Sequence, residues 1–239
     1  MSKALRLLIS SILLLICLAP PASADSRAWS CSGPYGGRIR AMAISPEYVS
    51  DQTLFAGTES GGLFRSTDGG VYWQDVSGLP DELTISSLVI SPSYAQDGTL
   101  LLSTPQGDIY KSQDHGENWS LWSDDLSGLN VSQLAISPAY GVDQTLIAAT
   151  DHGFYVSSTA GKIWLATTPA LNALSVVILP SGGSTFTAYG GTTAGLYVSN
   201  DSGQNWQSAS DDLEDKLVIA VAASPDYDHD HSILVGTTA

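Results

Sequence analysis

The octapeptide STDGGVYW occupies residues 66–73 and decides the fold, because related octapeptides return three times further along the chain. Residues 112–119 read SQDHGENW and residues 199–206 read SNDSGQNW, whereas residues 157–164 read SSTAGKIW, with Thr159 in place of the aspartate. A serine, an aspartate, a glycine and a tryptophan recur at fixed spacing. Such regularity indicates a repeated structural unit.

Five tryptophans give the length of that unit. They are separated by 44, 46, 45 and 42 residues. In chain order they are Trp29, Trp73, Trp119, Trp164 and Trp206. An interval of this size suits one blade of a β-propeller. We therefore predict an all-β propeller built from four-stranded blades.

Within the first unit, short apolar runs alternate with turn residues. Strands are predicted at 39–45, 53–58, 63–66 and 71–76, separated by segments rich in Gly, Pro and Asp. A second motif, S-P-x-Y-x-x-D, lies between the first and second predicted strands. We expect its aspartates to cap that loop; they are Asp51, Asp97, Asp143 and Asp230. No comparable segment has a period of 3.6 residues, so almost no helix is expected.

The units at the two ends are incomplete. Residues 29–33 align with the last strand of a unit, and residues 233–239 supply only the second strand of a fifth unit. The prediction is about four complete blades, a lone N-terminal strand and a partial fifth blade. The favoured explanation is a fragment of a larger propeller that is incomplete at its C-terminus. A five-bladed ring with one defective blade is the alternative.

The pattern S-x-D-x-G-x-x-W resembles the Asp-box, or BNR, repeat. The resemblance covers about residues 27–239 and extends to propellers of sialidases, sortilin-type receptors, xyloglucan-degrading glycosidases and photosystem II assembly factors. It implies the propeller fold. It implies little about function, because these relatives do unrelated things; the assembly-factor type implies a protein partner.

We expect the repeated residues to be structural. Asp and Ser side chains satisfy backbone N–H groups in tight turns, Gly accepts positive φ, and Trp packs between strands. A catalytic centre would appear once rather than once per blade. The residues are Ser66, Asp68, Gly70, Trp73, Ser112, Asp114, Gly116, Trp119, Gly161, Trp164, Ser199, Asp201, Gly203 and Trp206.

The N-terminus predicts secretion. A basic start, twelve mostly apolar residues from Leu7 to Leu18 and an A-x-A end at Ala24 describe a signal peptide over residues 1–24, followed by the propeller at 25–239. The apolar run is too short to span a bilayer. A lipoprotein anchored through Cys17 is disfavoured because Ile16 is not small. Without Cys17, Cys31 has no partner for an intrachain disulfide.

The formal net charge is −15, which argues against nucleic acid and anionic lipid as partners because both require basic patches. A sialidase-like site is also disfavoured. Such a site takes three arginines from different blades, and beyond the leader the arginines are Arg27, Arg38, Arg40 and Arg65, all in the first third of the chain. A two-carboxylate glycosidase stays open, with unpaired candidates at Asp75, Glu82, Asp108 and Asp124.

Binding candidates are aromatic residues outside the repeat register. They are Tyr35, Trp122, Phe186 and Tyr189. The dense segment 226–231 offers a metal candidate through Asp226, Asp228 and Asp230, although it aligns with the other loops, so neither a metal nor a cofactor is expected. The predicted function is a secreted, non-catalytic scaffold for protein or carbohydrate recognition. The alternative is a glycoside hydrolase-like propeller whose catalytic carboxylates lie partly in missing blades.

Overall fold

A computed structural model describes residues 33–34, 37–179, 185–224 and 226–238, without the side chain of Asp228. The predicted leader, the strand at Trp29 and the binding candidate Tyr35 lie outside these residues. The described residues group into one compact unit.

The predicted all-β fold is confirmed: the described chain forms four antiparallel sheets of four strands and one sheet of two. Each sheet is a meander, with its strands in sequence order. Sheet 1 contains β1 (Ile39–Ile44), β2 (Leu54–Thr58), β3 (Leu63–Ser66) and β4 (Gln74–Asp75). Sheet 2 contains β5 (Ser87–Ile90), β6 (Leu100–Ser103), β7 (Ile109–Ser112) and β8 (Ser120–Ser123).

The later sheets repeat this order. Sheet 3 contains β9 (Val131–Ile136), β10 (Leu146–Thr150), β11 (Gly153–Ser157) and β12 (Leu165–Ala166). Sheet 4 contains β13 (Ala173–Leu179), β14 (Thr187–Thr192), β15 (Gly195–Ser199) and β16 (Gln207–Ser208). Sheet 5 contains β17 (Val218–Ala223) and β18 (Ile233–Thr237). The first strands of successive sheets are neighbours, as around the axis of a propeller.

Single helical turns join the first and second strands of four of these sheets. They are α1 (Tyr48–Asp51), α2 (Tyr94–Asp97), α3 (Tyr140–Asp143) and α4 (Tyr227–Asp230). A 3₁₀ turn at Asp211–Leu213 lies between sheets 4 and 5 in the sequence. In the first, the Ser45 hydroxyl donates to Asp51 Oδ2 at 2.6 Å, and Asp51 Oδ1 accepts the Thr53 amide at 2.9 Å. One turn is too short to leave a helical period in the sequence. No helix of the described residues is long and apolar enough to cross a membrane.

Apolar side chains between consecutive sheets form the core. β10 is buried along its whole length, as is β6, because a sheet covers each face of these strands. Each core tryptophan packs toward the preceding sheet: Trp119 joins the cluster that contains Phe55, and Trp206 stacks on Phe154 with ring centroids 3.9 Å apart. Trp73, in sheet 1, is only half-buried.

Polar joints cross the seams, by which we mean the boundaries between consecutive sheets. Across the seam between sheets 2 and 3, Ser87 Oγ accepts the Leu134 amide at 2.9 Å. Gln133 Oε1 accepts the Val176 amide at 3.0 Å, and Ser175 Oγ accepts the Val221 amide at 3.0 Å. First strands are sheet edges, so these side chains satisfy amides that have no strand partner.

Candidate functional site

The repeated octapeptide forms a turn closed by its own side chains. In sheet 1, Asp68 Oδ1 accepts the Ser66 hydroxyl at 2.8 Å and the amides of Val71 and Tyr72 at 3.0 Å each. Ser66 Oγ accepts the Gly70 amide at 2.8 Å, and the Trp73 indole donates to the Gly70 carbonyl at 3.1 Å. The side chains of this turn therefore bond to the turn itself.

Hydrogen bonds stabilise the ionised form of the turn aspartates. The amide of Asn118, followed by its side chain and the Ser112 hydroxyl, lowers the pKa of Asp114 to about 2. The amide of Tyr72 and the Ser66 hydroxyl lower the pKa of Asp68. Burial raises the pKa of Asp201, but hydrogen bonds from Asn205 and Ser199 outweigh it and lower the pKa. Such carboxylates are acceptors rather than acids.

The third turn uses a hydroxyl where the others use a carboxylate. Thr159 Oγ1 accepts the Ile163 amide at 2.8 Å, and Asp125 Oδ2, from the preceding unit, accepts the Trp164 amide at 3.1 Å. Gly161 and the Trp164 indole keep the bonds seen in the intact copies. The substitution of Thr for Asp thus leaves the turn closed.

The first strands of sheets 1, 2 and 3 line a groove of about 450 Å³, which includes Arg40, Met42, Ser86, Ser132 and Gln133. No first strand of the described sheets contains Asp, Glu or His. This groove was not among the sequence-based candidates. In the sequence, the groove is indicated only by polar residues at equivalent positions of the first strands. Whether these residues lie close together depends on which strands are neighbours in the fold.

Glu59 is the acid that pairs with Arg40 of this groove and with the nearby Arg38. Its carboxylate accepts Arg40 Nη2 at 2.6 Å and lies 3.8 Å from Arg38 Nε. The hydrogen bond from Arg40, followed by the charge of Arg40, lowers the pKa of Glu59. Glu59 is therefore an ionised partner of Arg40.

The four unpaired carboxylate candidates are distributed over sheets 1 and 2 and their connections. Asp75 lies on β4 and Asp108 immediately precedes β7, whereas Glu82 and Asp124 are exposed in loops. No hydrogen bond among the described residues joins any two of them.

The aromatic candidates have different surroundings. Phe186 is only 7% exposed and packs in the core cluster between sheets 3 and 4, so it does not contribute to a binding surface. Tyr189 Oη is 3.2 Å from Tyr227 Oη, and burial raises the pKa of Tyr189 to about 12. Tyr189 is thus held at the seam between sheets 4 and 5.

Trp122 lies at the seam between sheets 2 and 3, and each of these two sheets places one lysine near its ring. Lys111 Nζ is 4.5 Å and Lys162 Nζ 5.2 Å from the centre of its ring. The Trp122 indole donates to the Ala160 carbonyl at 3.0 Å, and Lys162 Nζ donates to the Trp122 carbonyl at 2.6 Å. Trp122 is singled out by the repeat register. Lys111 lies on the neighbouring strand β7, whereas Lys162 comes from the turn of the next unit.

The metal candidates around α4 bond to their own loop. Asp230 accepts the Ser224 hydroxyl at 2.5 Å and the Ser232 amide at 2.8 Å, and Asp226 Oδ1 is 2.7 Å from His229 Nδ1. The side chain of Asp228 lies outside the described structure. Within the described residues, no group of three His, Cys, Asp or Glu side chains is placed to hold a metal ion.

No protein-family model matches this chain, and no curated protein matches it. Similar solved structures include an ancestral GH74 enzyme, at 20% identity and a TM-score of 0.64, over 83% of this chain and 28% of the enzyme. The GH74 xyloglucanase from Xanthomonas campestris has 19% identity and a TM-score of 0.64, over 84% of this chain and 35% of the enzyme.

The extracellular domain of a one-component system from B. thetaiotaomicron is also similar, with 18% identity and a TM-score of 0.61 over 87% of this chain and 27% of that one. This chain thus spans between about a quarter and a third of the length of these proteins. At such identities the likeness shows the propeller fold alone.

Proposed function

We propose that residues 25–239 are a secreted, non-catalytic β-propeller region that recognises a protein or carbohydrate ligand, and that residues 1–24 are a removable secretion signal. The ligand surface is the groove on the first strands of sheets 1, 2 and 3. Propellers present such surfaces on a rigid frame, and here the Ser87 joint links the first strands of sheets 2 and 3.

One observation carries this proposal: the described first strands contain no Asp, Glu or His. Acid–base catalysis needs at least one group that exchanges a proton near neutral pH. The groove instead offers the Arg40 guanidinium, the Ser86 and Ser132 hydroxyls and the Met42 side chain. These groups bind polar and apolar ligand atoms without a proton transfer step.

The pKa shifts of the repeated aspartates support the same proposal. Hydrogen bonds lower the pKa of Asp68, Asp114 and Asp201, so these residues are ionised near neutral pH and are bonded within their turns. A general acid in a glycosidase requires a raised pKa.

The second candidate is a glycoside hydrolase-like propeller. Two of the similar structures are GH74 enzymes, and this chain spans 28% and 35% of their lengths. In this candidate we propose that the catalytic carboxylates lie partly in blades outside this sequence.

The full-length secreted product tests both candidates on arrays of polysaccharides and peptides, with release of reducing ends measured in parallel. We expect retention of a ligand, at least tenfold weaker in the variant Arg40→Ala/Ser132→Ala, and no reducing ends. Gln74→Ala, exposed on β4, is the matched control and keeps full binding. Catalytic turnover of a polysaccharide establishes the hydrolase instead. Absence of retention, or retention that the double variant leaves unchanged, overturns the recognition groove.

A further inference from the structure

Sheets 2 and 4 form matching surface pockets beside their Asp-box-like turns. The pocket of sheet 2 has a volume of about 380 Å³, and that of sheet 4 about 280 Å³. Both contain the aspartate, the asparagine and the tryptophan of the turn: Asp114, Asn118 and Trp119 in sheet 2, and Asp201, Asn205 and Trp206 in sheet 4. The pocket of sheet 4 can therefore be compared with that of sheet 2, position by position.

At two positions, a small or aliphatic residue of sheet 4 is replaced by a lysine or a tryptophan in sheet 2. Lys111 occupies the strand position of Val198, and Trp122 the position of Ala209. The turn of sheet 4 closes without either residue, since Asp201 still accepts the Asn205 amide at 2.9 Å and the Ser199 hydroxyl at 2.8 Å. The turn hydrogen bonds thus require neither the lysine nor the second tryptophan.

Lys111 lines this pocket, and its ammonium group has no hydrogen-bond acceptor among the described residues. Its side chain is 6% exposed, and no acceptor among the described residues bonds to Nζ, which lies over the Trp122 ring. Burial lowers the pKa of Lys111, and the charge of Asp97 acts in the opposite direction. A lysine that is largely removed from water and has no hydrogen-bonded partner favours an anionic ligand in the pocket that it lines.

The local charge is unusual for this chain. The sequence contains four lysines and has a net charge of −15, and two of these lysines, Lys111 and Lys162, approach the same indole ring. Long-range repulsion opposes the approach of anions to the rest of such a surface. The seam between sheets 2 and 3 is a locally positive exception on this negatively charged protein.

The remaining pocket groups suit a polyhydroxylated ligand. Gln113 and Ser120 are exposed at the rim, and Asn118 donates through Nδ2 to Asp114 Oδ2 at 2.7 Å, which leaves its own oxygen as an acceptor. Asp114 repels anions, but its carboxylate can accept from sugar hydroxyls. The volume of the sheet 2 pocket, about 380 Å³, is close to the lower end of the range for ligand pockets, which is about 300 Å³. This small size favours one sugar unit over a peptide.

We propose that the pocket formed by Lys111, Trp122 and the turn of sheet 2 binds a uronic acid unit, with the carboxylate on Lys111 and the sugar ring beside Trp122. The site is separate from the first-strand groove, and neither proposal depends on the other.

The test is a titration of the ¹⁵N-labelled protein followed through the indole N–H signals, with Trp122 assigned by Trp122→Phe. Sodium galacturonate and sodium glucuronate should move the Trp119 and Trp122 signals to saturation and leave Trp206 unchanged. Galactose, glucose and acetate should bind at least tenfold more weakly. Lys111→Met, which keeps the length of the side chain, should weaken uronate binding at least tenfold.

Val198→Thr in sheet 4 is the matched control and should leave the titration unchanged. The melting temperature of Lys111→Met verifies that this variant is folded, and if it is not, the wild-type comparison of uronate with neutral sugar decides alone. Equal affinity for galactose or acetate, an unchanged titration in folded Lys111→Met, or no saturable shift overturns the proposal. Each of these outcomes leaves the array result for the first-strand groove standing.

Discussion

The Ser87 hydroxyl lies 2.9 Å from the amide nitrogen of Leu134 and accepts its hydrogen bond across the seam between sheets 2 and 3. The two residues belong to consecutive first strands. Gln133 and Ser175 make the same joint one and two seams further along. From sheet 2 onward, neighbouring blades are therefore connected by a directional bond as well as by apolar packing.

Removal of this acceptor should destabilise the protein. Ser87→Ala leaves the buried Leu134 amide without its partner, and we expect a loss of about 1–3 kcal/mol in the free energy of unfolding. Urea denaturation measures the change. Ser127→Ala, at an exposed loop position, should lie within about 0.5 kcal/mol of the wild type. Equal effects of the two substitutions would show that the joint contributes nothing.

The seam between sheets 1 and 2 has Ala41 where the later seams have Ser or Gln. No side chain among the described residues accepts the Leu88 amide. Ala41→Ser supplies an acceptor at the matching position, and we expect a gain of about 0.5–1 kcal/mol in unfolding free energy. Chemical denaturation measures whether the free energy of unfolding rises or falls. A loss of stability would contradict the expected alignment of residue 41 with the Leu88 amide.

The lowered pKa of Asp114 predicts a stability difference that depends on pH. The carboxylate contributes stability above its ordinary pKa of 3.8, and this contribution is lost as the pH falls toward about 2. Asp114→Asn should therefore lower the melting temperature at neutral pH, and the difference from wild type should shrink across that acid range. Asp81→Asn, in an exposed loop, is the control. A pH-independent difference would show that the charge is not involved.

Two buried tyrosines at equivalent positions should respond differently to loss of their hydroxyl groups. Tyr94 Oη donates to the His115 carbonyl at 3.2 Å, whereas Tyr140 Oη has no partner among the described residues. Tyr94→Phe should cost about 0.5–1.5 kcal/mol, and Tyr140→Phe should be neutral or stabilising. Urea denaturation of both variants provides the comparison. A larger loss at Tyr140 would indicate a bonded hydroxyl.

Gly190 lies against the stacked rings of the third seam. A Cβ atom at this position would stand 2.1 Å from Phe154 Cζ, and Phe154 is buried against Trp206. Gly190→Ala should cost about 1–3 kcal/mol and change the near-ultraviolet circular dichroism of the tryptophans. At Gly236 the added atom meets Ala220 at an ordinary 3.5 Å, so Gly236→Ala should change little. A small effect at Gly190 would mean that the rings can move aside.

The spacing of the tryptophans is sufficient to predict the blades, because each blade repeats the same packing position. Strand lengths are less predictable. The fourth strand of the first unit is expected over 71–76, but β4 contains only Gln74 and Asp75. The amides of Val71 and Tyr72 donate to Asp68 within the turn, so they do not pair with β3.

The candidate site is predicted only in part for a related reason. Trp122 is noticeable in the sequence because it departs from the repeat. Lys111 is an ordinary strand residue, and Lys162 lies 40 residues beyond Trp122. Lys111 approaches the Trp122 ring because β7 and β8 are paired in sheet 2, whereas Lys162 approaches it because sheets 2 and 3 stack. Sequence periodicity gives the units but not the chemistry at each seam.

The seam joint has an evolutionary consequence. Because Ser87, Gln133 and Ser175 each supply the acceptor for the unit that follows, a unit carries one half of its contact with either neighbour. Tandem duplication of a gene segment that encodes one unit would create a new boundary with donor and acceptor already matched. Such a protein can change its number of modules by recombination, without new mutations at each boundary.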